Sequence, residues 1–204
     1  MRRSSEEKKV VVTGGAGFIG SHIAEDLIRR GCHVVVLDDL STGKLSNIDH
    51  LPKDDLEFVT GSVTDLGLLS SLLRDVAVVF HEAAIASVTR SLEEPEATHE
   101  VNLTGTLNVL RAARDNRVGK VVFASSCAVY GSTGVLPTTE DVPADPQSPY
   151  AVSKLAAEYY CDVFQKAYGL QTLCLRYFNV YGQRQSADSD YAAVIPKFIK
   201  MVKD

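Results

Sequence analysis

The sequence predicts an α/β protein: a doubly wound parallel sheet with helices on both faces. Three observations predict it. Short apolar runs recur along the chain and stop at glycine or polar residues, the pattern of strands buried on both faces. Stretches with apolar residues at helical spacing lie between those runs. The two kinds of segment alternate from end to end, with no internal repeat and no low-complexity stretch, which is the pattern of a parallel sheet wrapped by helices.

Taken in order, residues 9–13 form a short apolar run ending in glycines and read as the first strand. Phe18, Ile19, Ile23, Leu27 and Ile28 share one face of a helix over residues 18–30, which Gly31 stops. Residues 33–38 and 56–60 are the second and third strands, and residues 65–73 a short helix with Asp65 as its cap. Residues 76–81 are the fourth strand, residues 96–116 one long helix, and residues 120–125 the fifth strand. A proline-containing loop over residues 131–149 is long enough to suggest a functional role. A helix follows from Pro149 to about residue 167, then a sixth strand at 171–177 and a further helix at 191–202.

Bulk properties exclude several function classes. The chain has 204 residues, 45% of them hydrophobic and 23% charged, with net charge −5. That length suits one domain, or one domain and a fragment of another. A mildly acidic chain without a basic run offers no electrostatic basis for binding nucleic acid or a membrane surface. Residues 1–8 read as a flexible charged lead-in rather than a signal peptide, and no apolar run is long enough to span a bilayer. Cys32, Cys127, Cys161 and Cys174 are scattered, so neither zinc nor a disulfide framework is suggested, no metal is expected, and a reducing cytoplasm is the default.

Gly14, Gly17 and Gly20 stand between a strand and a helix at G-x-x-G-x-x-G spacing. The first glycine allows a tight turn, the second lets the backbone approach a pyrophosphate, and the third lets helix and strand pack closely. The helix start beyond them offers free N–H groups and a positive dipole end to phosphates. Asp38 closes the second strand, where a carboxylate accepts hydrogen bonds from a ribose 2′-hydroxyl and repels a 2′-phosphate, favouring NAD over NADP. Asp39 adjoins it and either can serve; a strand-end Asp can equally cap a turn.

Tyr150 and Lys154 lie four residues apart, on one face of the predicted helix. An ammonium beside a phenol favours the phenolate, which would make Tyr150 a base near neutral pH. In a chain with eight tyrosines that spacing alone is weak. His81 reads as a packed strand-end histidine.

The motifs taken together resemble the extended short-chain dehydrogenase/reductase family, specifically its nucleotide-sugar 4-epimerases. They comprise the glycine turn, the strand end from Leu37 to Gly43, His81-Glu82-Ala83-Ala84, Asn102-Leu103-Thr104-Gly105-Thr106, Ser125 to Gly131, Tyr150 to Lys154, and Arg176 to Gly182. The resemblance implies a Rossmann domain over residues 9–182, the start of a substrate-binding region over 183–204, and NAD as cofactor. It implies that Ser126 completes a catalytic set with Tyr150 and Lys154. The implied cofactor contacts are Gly14, Gly17, Phe18, Ile19, Gly20, Asp38, Asp39, Ser41, Thr42, Gly43, Ser62, Val63, Ala83, Ala84, Asn102, Tyr150, Lys154 and Tyr177. The implied UDP-sugar contacts are Ser87, Ser126, Tyr150, Asn179, Ala193 and Val194. The stretch around Ala192 to Pro196 is similar to epimerases that accept UDP-N-acetylhexosamines, and a homodimer built on the Tyr150 helix is also implied.

The resemblance has departures. Position 62 is usually Asp and contacts the adenine amino group, so Ser62, a neutral acceptor, is expected to lower cofactor affinity modestly. Family members continue by on the order of a hundred residues, a small domain's worth, so most of the substrate domain is expected to be absent here. Cys127 and Ala128 occupy the positions where the family's 4,6-dehydratases carry an Asp-Glu pair and its decarboxylases a Glu at Ala128, which leaves epimerisation as the implied reaction. The alternatives are a cofactor-binding module without catalysis and a net oxidoreductase or dehydratase of the same superfamily.

Overall fold

The computed structural model describes residues 8–186, together with Ile195, Phe198, Met201 and Val202. Among the described residues six strands form one parallel sheet: β1 (Lys9–Thr13), β2 (His33–Asp38), β3 (Leu56–Thr60), β4 (Val78–His81), β5 (Lys120–Ser126) and β6 (Gln171–Tyr177), in the order β3-β2-β1-β4-β5-β6. The order reverses between β1 and β4, which opens a crevice at the carboxyl ends of those strands. The fold is the doubly wound Rossmann arrangement expected from the alternation of elements.

The helices are α1 (Phe18–Arg29), α2 (Leu66–Leu72), α3 (Val88–Glu93), α4 (Pro95–His99), α5 (Gly105–Asp115) and α6 (Pro149–Tyr168). Period-two alternation along the strands splits the core into two. Val11, Val35 and Leu37 pack against Leu69 of α2, Leu110 of α5 and Phe164 of α6. Val12, Val34 and Val36 face the other way, toward Ala24 of α1 and the loop residues Ile48 and Leu51. Beside α1 the second face is open: an apolar trough of about 740 Å³ is lined by Phe18, His22, Ile23, Phe80, Tyr177 and Val180, among others. The chain after β6 runs back along α1. There Gln183 O accepts from His22 Nε2 at 3.0 Å, and the Arg184 guanidinium pairs with Glu25.

Several elements differ from expectation. The long helix predicted over 96–116 is interrupted by a π-helical turn at Glu100–Thr104 between α4 and α5. Its cause lies in Asn102, whose side chain is committed across the molecule, and in Thr106, whose hydroxyl donates to Asn102 O at 2.6 Å. The six-residue α3 was not predicted, being too short to show a period. β4 starts at Val78 instead of residue 76. Of the helix predicted over 191–202, Ile195, Phe198, Met201 and Val202 are helical and the rest lies outside the described residues. No helix among the described residues is long and apolar enough to cross a membrane.

Candidate active site

The glycine turn is fixed by close packing at two of its three glycines. Gly14 has φ +68°, and a Cβ there would stand 2.7 Å from Ala83 N. A Cβ on Gly20 would overlap the Gly14 carbonyl. Gly17 is different: it is the N-cap of α1, no side chain caps that helix, and no acid occupies its first turn. The amides at the start of α1 are therefore available to an anion. The side chains of Phe18 and Ile19 turn away into the trough.

Asp38 and Asp39 separate clearly. Asp38 is 7% exposed; its Oδ2 accepts from Ala16 N and its Oδ1 from Leu40 N, both at 2.9 Å. Burial pushes its carboxyl up, and the Leu40 and Ala16 amides resist that rise. Asp39 is exposed and turns the loop by accepting from Ser41 N at 2.9 Å. Both residues thus cap the turn, and it is Asp38 that also touches the glycine turn. Gly43 is buried against it, since a Cβ there would lie 2.6 Å from Asp38 Oδ1, while Ser41 and Thr42 stay exposed. At the end of β3, Ser62 Oγ accepts from Thr64 N at 3.2 Å and from Thr64 Oγ1 at 2.9 Å. The buried Val63 gives its carbonyl to Asn108 Nδ2 at 3.3 Å.

The exit of β4 is held by polar contacts from three elements. His81 is buried between Thr13 Oγ1 at 2.7 Å and Thr106 Oγ1 at 2.9 Å, and desolvation lowers its pKa to about 3, so it is a neutral structural group as expected. Ala83 N donates to Thr13 Oγ1 at 3.3 Å, and Ala84 follows in the same half-buried loop. Asn102 is 1% exposed; its Oδ1 accepts from Ile85 N at 2.8 Å, while its Nδ2 donates to Ile85 O at 3.1 Å and to Ser153 Oγ at 3.2 Å. It therefore clamps the β4 loop to α6. Ser87 caps α3, accepting from Arg90 N at 3.1 Å.

Ser126, Tyr150 and Lys154 meet where β5 ends against the start of α6. Ser148 Oγ caps α6 by accepting from Ala151 N, and Pro149 fills its first turn, which fixes Tyr150 at the helix entry. The Tyr150 phenol hydrogen-bonds Ser126, whose Oγ also accepts from Ala128 N at 3.1 Å. Lys154 is 3% exposed, with Nζ donating to Ala124 O at 2.8 Å and lying 4.8 Å from the Phe123 ring centre. One expectation is corrected here. Burial pushes the Tyr150 phenol above its ordinary value, against the hydrogen bond from Ser126, so adjacency to Lys154 does not by itself make a phenolate. The reason is that the ammonium points at a carbonyl and sits 5.9 Å from the Tyr150 ring centre. Desolvation in turn lowers Lys154 to about 8, with Glu82 pulling it back up.

Two features were not assigned from sequence. Glu82, quoted only as part of a motif, accepts from Tyr177 Oη at 3.3 Å. Glu158 accepts from Ser125 Oγ and from Arg176 Nη2, the latter at 2.7 Å, tying the ends of β5 and β6 to α6. Both unite residues far apart in the chain, and no local pattern signals them. Phe178 and Asn179 follow β6 and are exposed, and Ala193 and Val194 lie outside the described residues.

Comparison with known proteins agrees with this architecture. The NAD dependent epimerase/dehydratase family model matches residues 10–204. A putative UDP-glucose 4-epimerase of Methanocaldococcus jannaschii is 44% identical over 198 residues, covering 96% of this chain and 63% of its own length. The structure of a UDP-N-acetylglucosamine 4-epimerase from Methanobrevibacter ruminantium, in complex with UDP-N-acetylmuramic acid, superposes with a TM-score of 0.93 at 43% identity, over 98% of this chain and 64% of that one. A Thermus thermophilus UDP-glucose 4-epimerase in complex with NAD gives a TM-score of 0.82 at 45% identity, over 89% of this chain and 58% of that one. The chain thus spans about 60% of the length of such relatives. By sequence over nearly its whole length and by fold, it belongs to the NAD dependent epimerase/dehydratase family.

Proposed function

We propose that the chain is the cofactor-binding part of an NAD-dependent epimerase that inverts C4 of a UDP-sugar through a 4-keto intermediate. The observation that carries this reading is the convergence of Ser126, Tyr150 and Lys154 at the carboxyl end of β5, on the sheet whose glycine turn presents uncapped amides at α1. The diphosphate of NAD fits those amides and its adenosine ribose fits Asp38, with residues 41–43, Ser62 and Val63 around it. Ala83 and Ala84 border the site from the loop after β4, Asn102 from the π-helical turn, and Tyr177 from β6. Bound NAD supplies the hydride acceptor and donor. Tyr150 Oη exchanges a proton with the sugar 4-hydroxyl, and Ser126 Oγ orients that oxygen and, through its hydrogen bond, eases loss of the Tyr150 proton, while Lys154, anchored on Ala124 O, places a buried cation beside them. Cys127 and Ala128 supply no acid or base for elimination of water, which separates the reading from a dehydratase.

On the substrate side, Ser87, Asn179, Ala193 and Val194 are proposed to reach the UDP-sugar. Residues 183–204 are proposed as the start of its binding region. The resemblance around Ala192 to Pro196 favours a UDP-N-acetylhexosamine. A homodimer is supported by the outer face of α6, where Val152, Tyr159 and Val163 are exposed, and a reducing cytoplasmic setting by four free cysteines. The exposure of Asn179 and the open trough beside α1 support a second reading for the chain by itself, namely NAD binding without turnover. Incubation with UDP-galactose or UDP-N-acetylgalactosamine and catalytic NAD distinguishes them. Appearance of the 4-epimer supports the first reading. A melting temperature raised by NAD with no epimer formed supports the second, and stoichiometric NADH points to net oxidation.

A further inference from the structure

The strand order fixes which half of a dinucleotide lies where. With adenosine held by Asp38 over β1, β2 and β3, and the diphosphate at α1, the second half of the cofactor must cross to the carboxyl ends of β4, β5 and β6. Glu82 stands there. It is the first residue beyond β4, its amide donates to Thr13 O at 3.1 Å, and its carboxylate accepts from Tyr177 Oη on β6. Its backbone is wedged against Gly14, because a Cβ on Gly14 would lie 3.0 Å from Glu82 C, so the residue cannot shift without moving the glycine turn.

We propose that Glu82 is a positioning residue that faces the nicotinamide half of the cofactor and makes the site prefer the oxidised over the reduced dinucleotide. The proposal rests on the NAD reading above. An oxidised nicotinamide ring carries a positive charge and a reduced one does not, so an ionised carboxylate near it stabilises only the first. An epimerase needs this bias, since its cofactor must stand oxidised at the start of every turnover.

The surroundings of Glu82 make its charge responsive. Lys154 of α6 faces it with a positive charge, and Tyr177 of β6 donates to it. Tyr150 of α6 and Cys127 just past β5 are further titratable groups of the site, and burial pushes both up and keeps them neutral. His81, its neighbour on β4, is turned into the core between Thr13 and Thr106 and is neutral. Asp38 of β2 lies at the adenosine end, where each carboxylate oxygen accepts one amide, from Ala16 or Leu40, and keeps a further lone pair, and Arg176 of β6 pairs with Glu158. Burial raises Glu82 to about 7, with Lys154 and Tyr177 opposing the rise. A bound cation lowers that value, so oxidised NAD is bound with release of a proton and more tightly as pH rises through neutrality.

The test is to measure dissociation constants for NAD and NADH between pH 6 and 8 in the wild-type chain and in Glu82→Gln, which keeps the side-chain shape and loses the charge. The wild-type preference for NAD over NADH should grow on the order of tenfold across that range, the size of one unit of coupling, and in E82Q it should be smaller and nearly flat. Because Lys154 also titrates near the top of the range, E82Q retaining the wild-type pH dependence would assign the effect to Lys154 and overturn the proposal. A chain that binds neither dinucleotide would instead sink the NAD reading and this inference with it. Calorimetry of the wild type at pH 6.5 in two buffers of different ionisation enthalpy gives a readout that needs no variant. Proton release with NAD and none with NADH is expected, and equal release with both refutes the role.

Discussion

At the scale of single residues the site is a set of buried ionisable groups whose environments oppose one another. Tyr150→Phe removes only a hydroxyl; turnover should be lost by several orders of magnitude while NAD still raises the melting temperature, and retained turnover would remove Tyr150 from the proton-transfer role. His81 and Glu82 affect stability with opposite signs. His81 falls from 6.5 to about 3 on folding, so the stability it contributes is full above pH 6.5 and is lost as pH drops toward 3, by up to about 1.4 kcal/mol per unit. Glu82 rises from 4.5 to about 7, so it stabilises at low pH and that contribution is lost as pH climbs from 4.5 through 7, a span that overlaps the upper part of the His81 one. Glu82→Gln should therefore steepen the rise of stability between pH 4.5 and 6.5, read by urea unfolding; an unchanged slope counts against the opposition. Local spacing marks Tyr150, Lys154 and the glycines in the sequence, and only the resemblance to a family singles out Ser126. Neither reveals that Lys154 is aimed at Ala124 O, since that depends on a strand thirty positions away.

At the scale of elements, what was legible depended on whether an element is defined by its own residues. Asp65 was recognisable as a cap and accepts from Leu68 N at 2.9 Å, whereas the π turn at Glu100–Thr104 answers to Ile85 and Ser153, which no local pattern can show. Asp65→Ala should cost about 1 kcal/mol in chemical unfolding, the usual worth of such a cap. The turn between β5 and the long loop is stricter. Gly131 has φ +62°, and a Cβ on it would overlap the Asp145 carbonyl, while Asp145 N donates to Val129 O at 2.9 Å. Gly131→Ala should cost on the order of 2–4 kcal/mol, through backbone strain and expulsion of the loop together; a loss under about 1 kcal/mol would show that the loop yields freely.

At the scale of the whole molecule, alternation of strands and helices was enough to predict the sheet, and the two-faced core follows from the step between Val11 and Val12. What sequence could not show is which surfaces stay open. If the outer face of α6 joins two copies, sedimentation should show a dimer, and Val163→Glu on that exposed face should return it to monomer without lowering the melting temperature; a wild-type monomer at all concentrations would refute the pairing. The trough beside α1 should bind an apolar dye, and Val180→Glu in its lining should reduce that fluorescence. The trough also has a meaning in time. During synthesis its lining is complete only once Gln183 has left the ribosome. From then on the growing chain presents a grease-lined flank, the kind of surface that chaperones hold and that other nascent chains stick to, so the pace of translation just past this point bears on how much of the protein reaches its folded form.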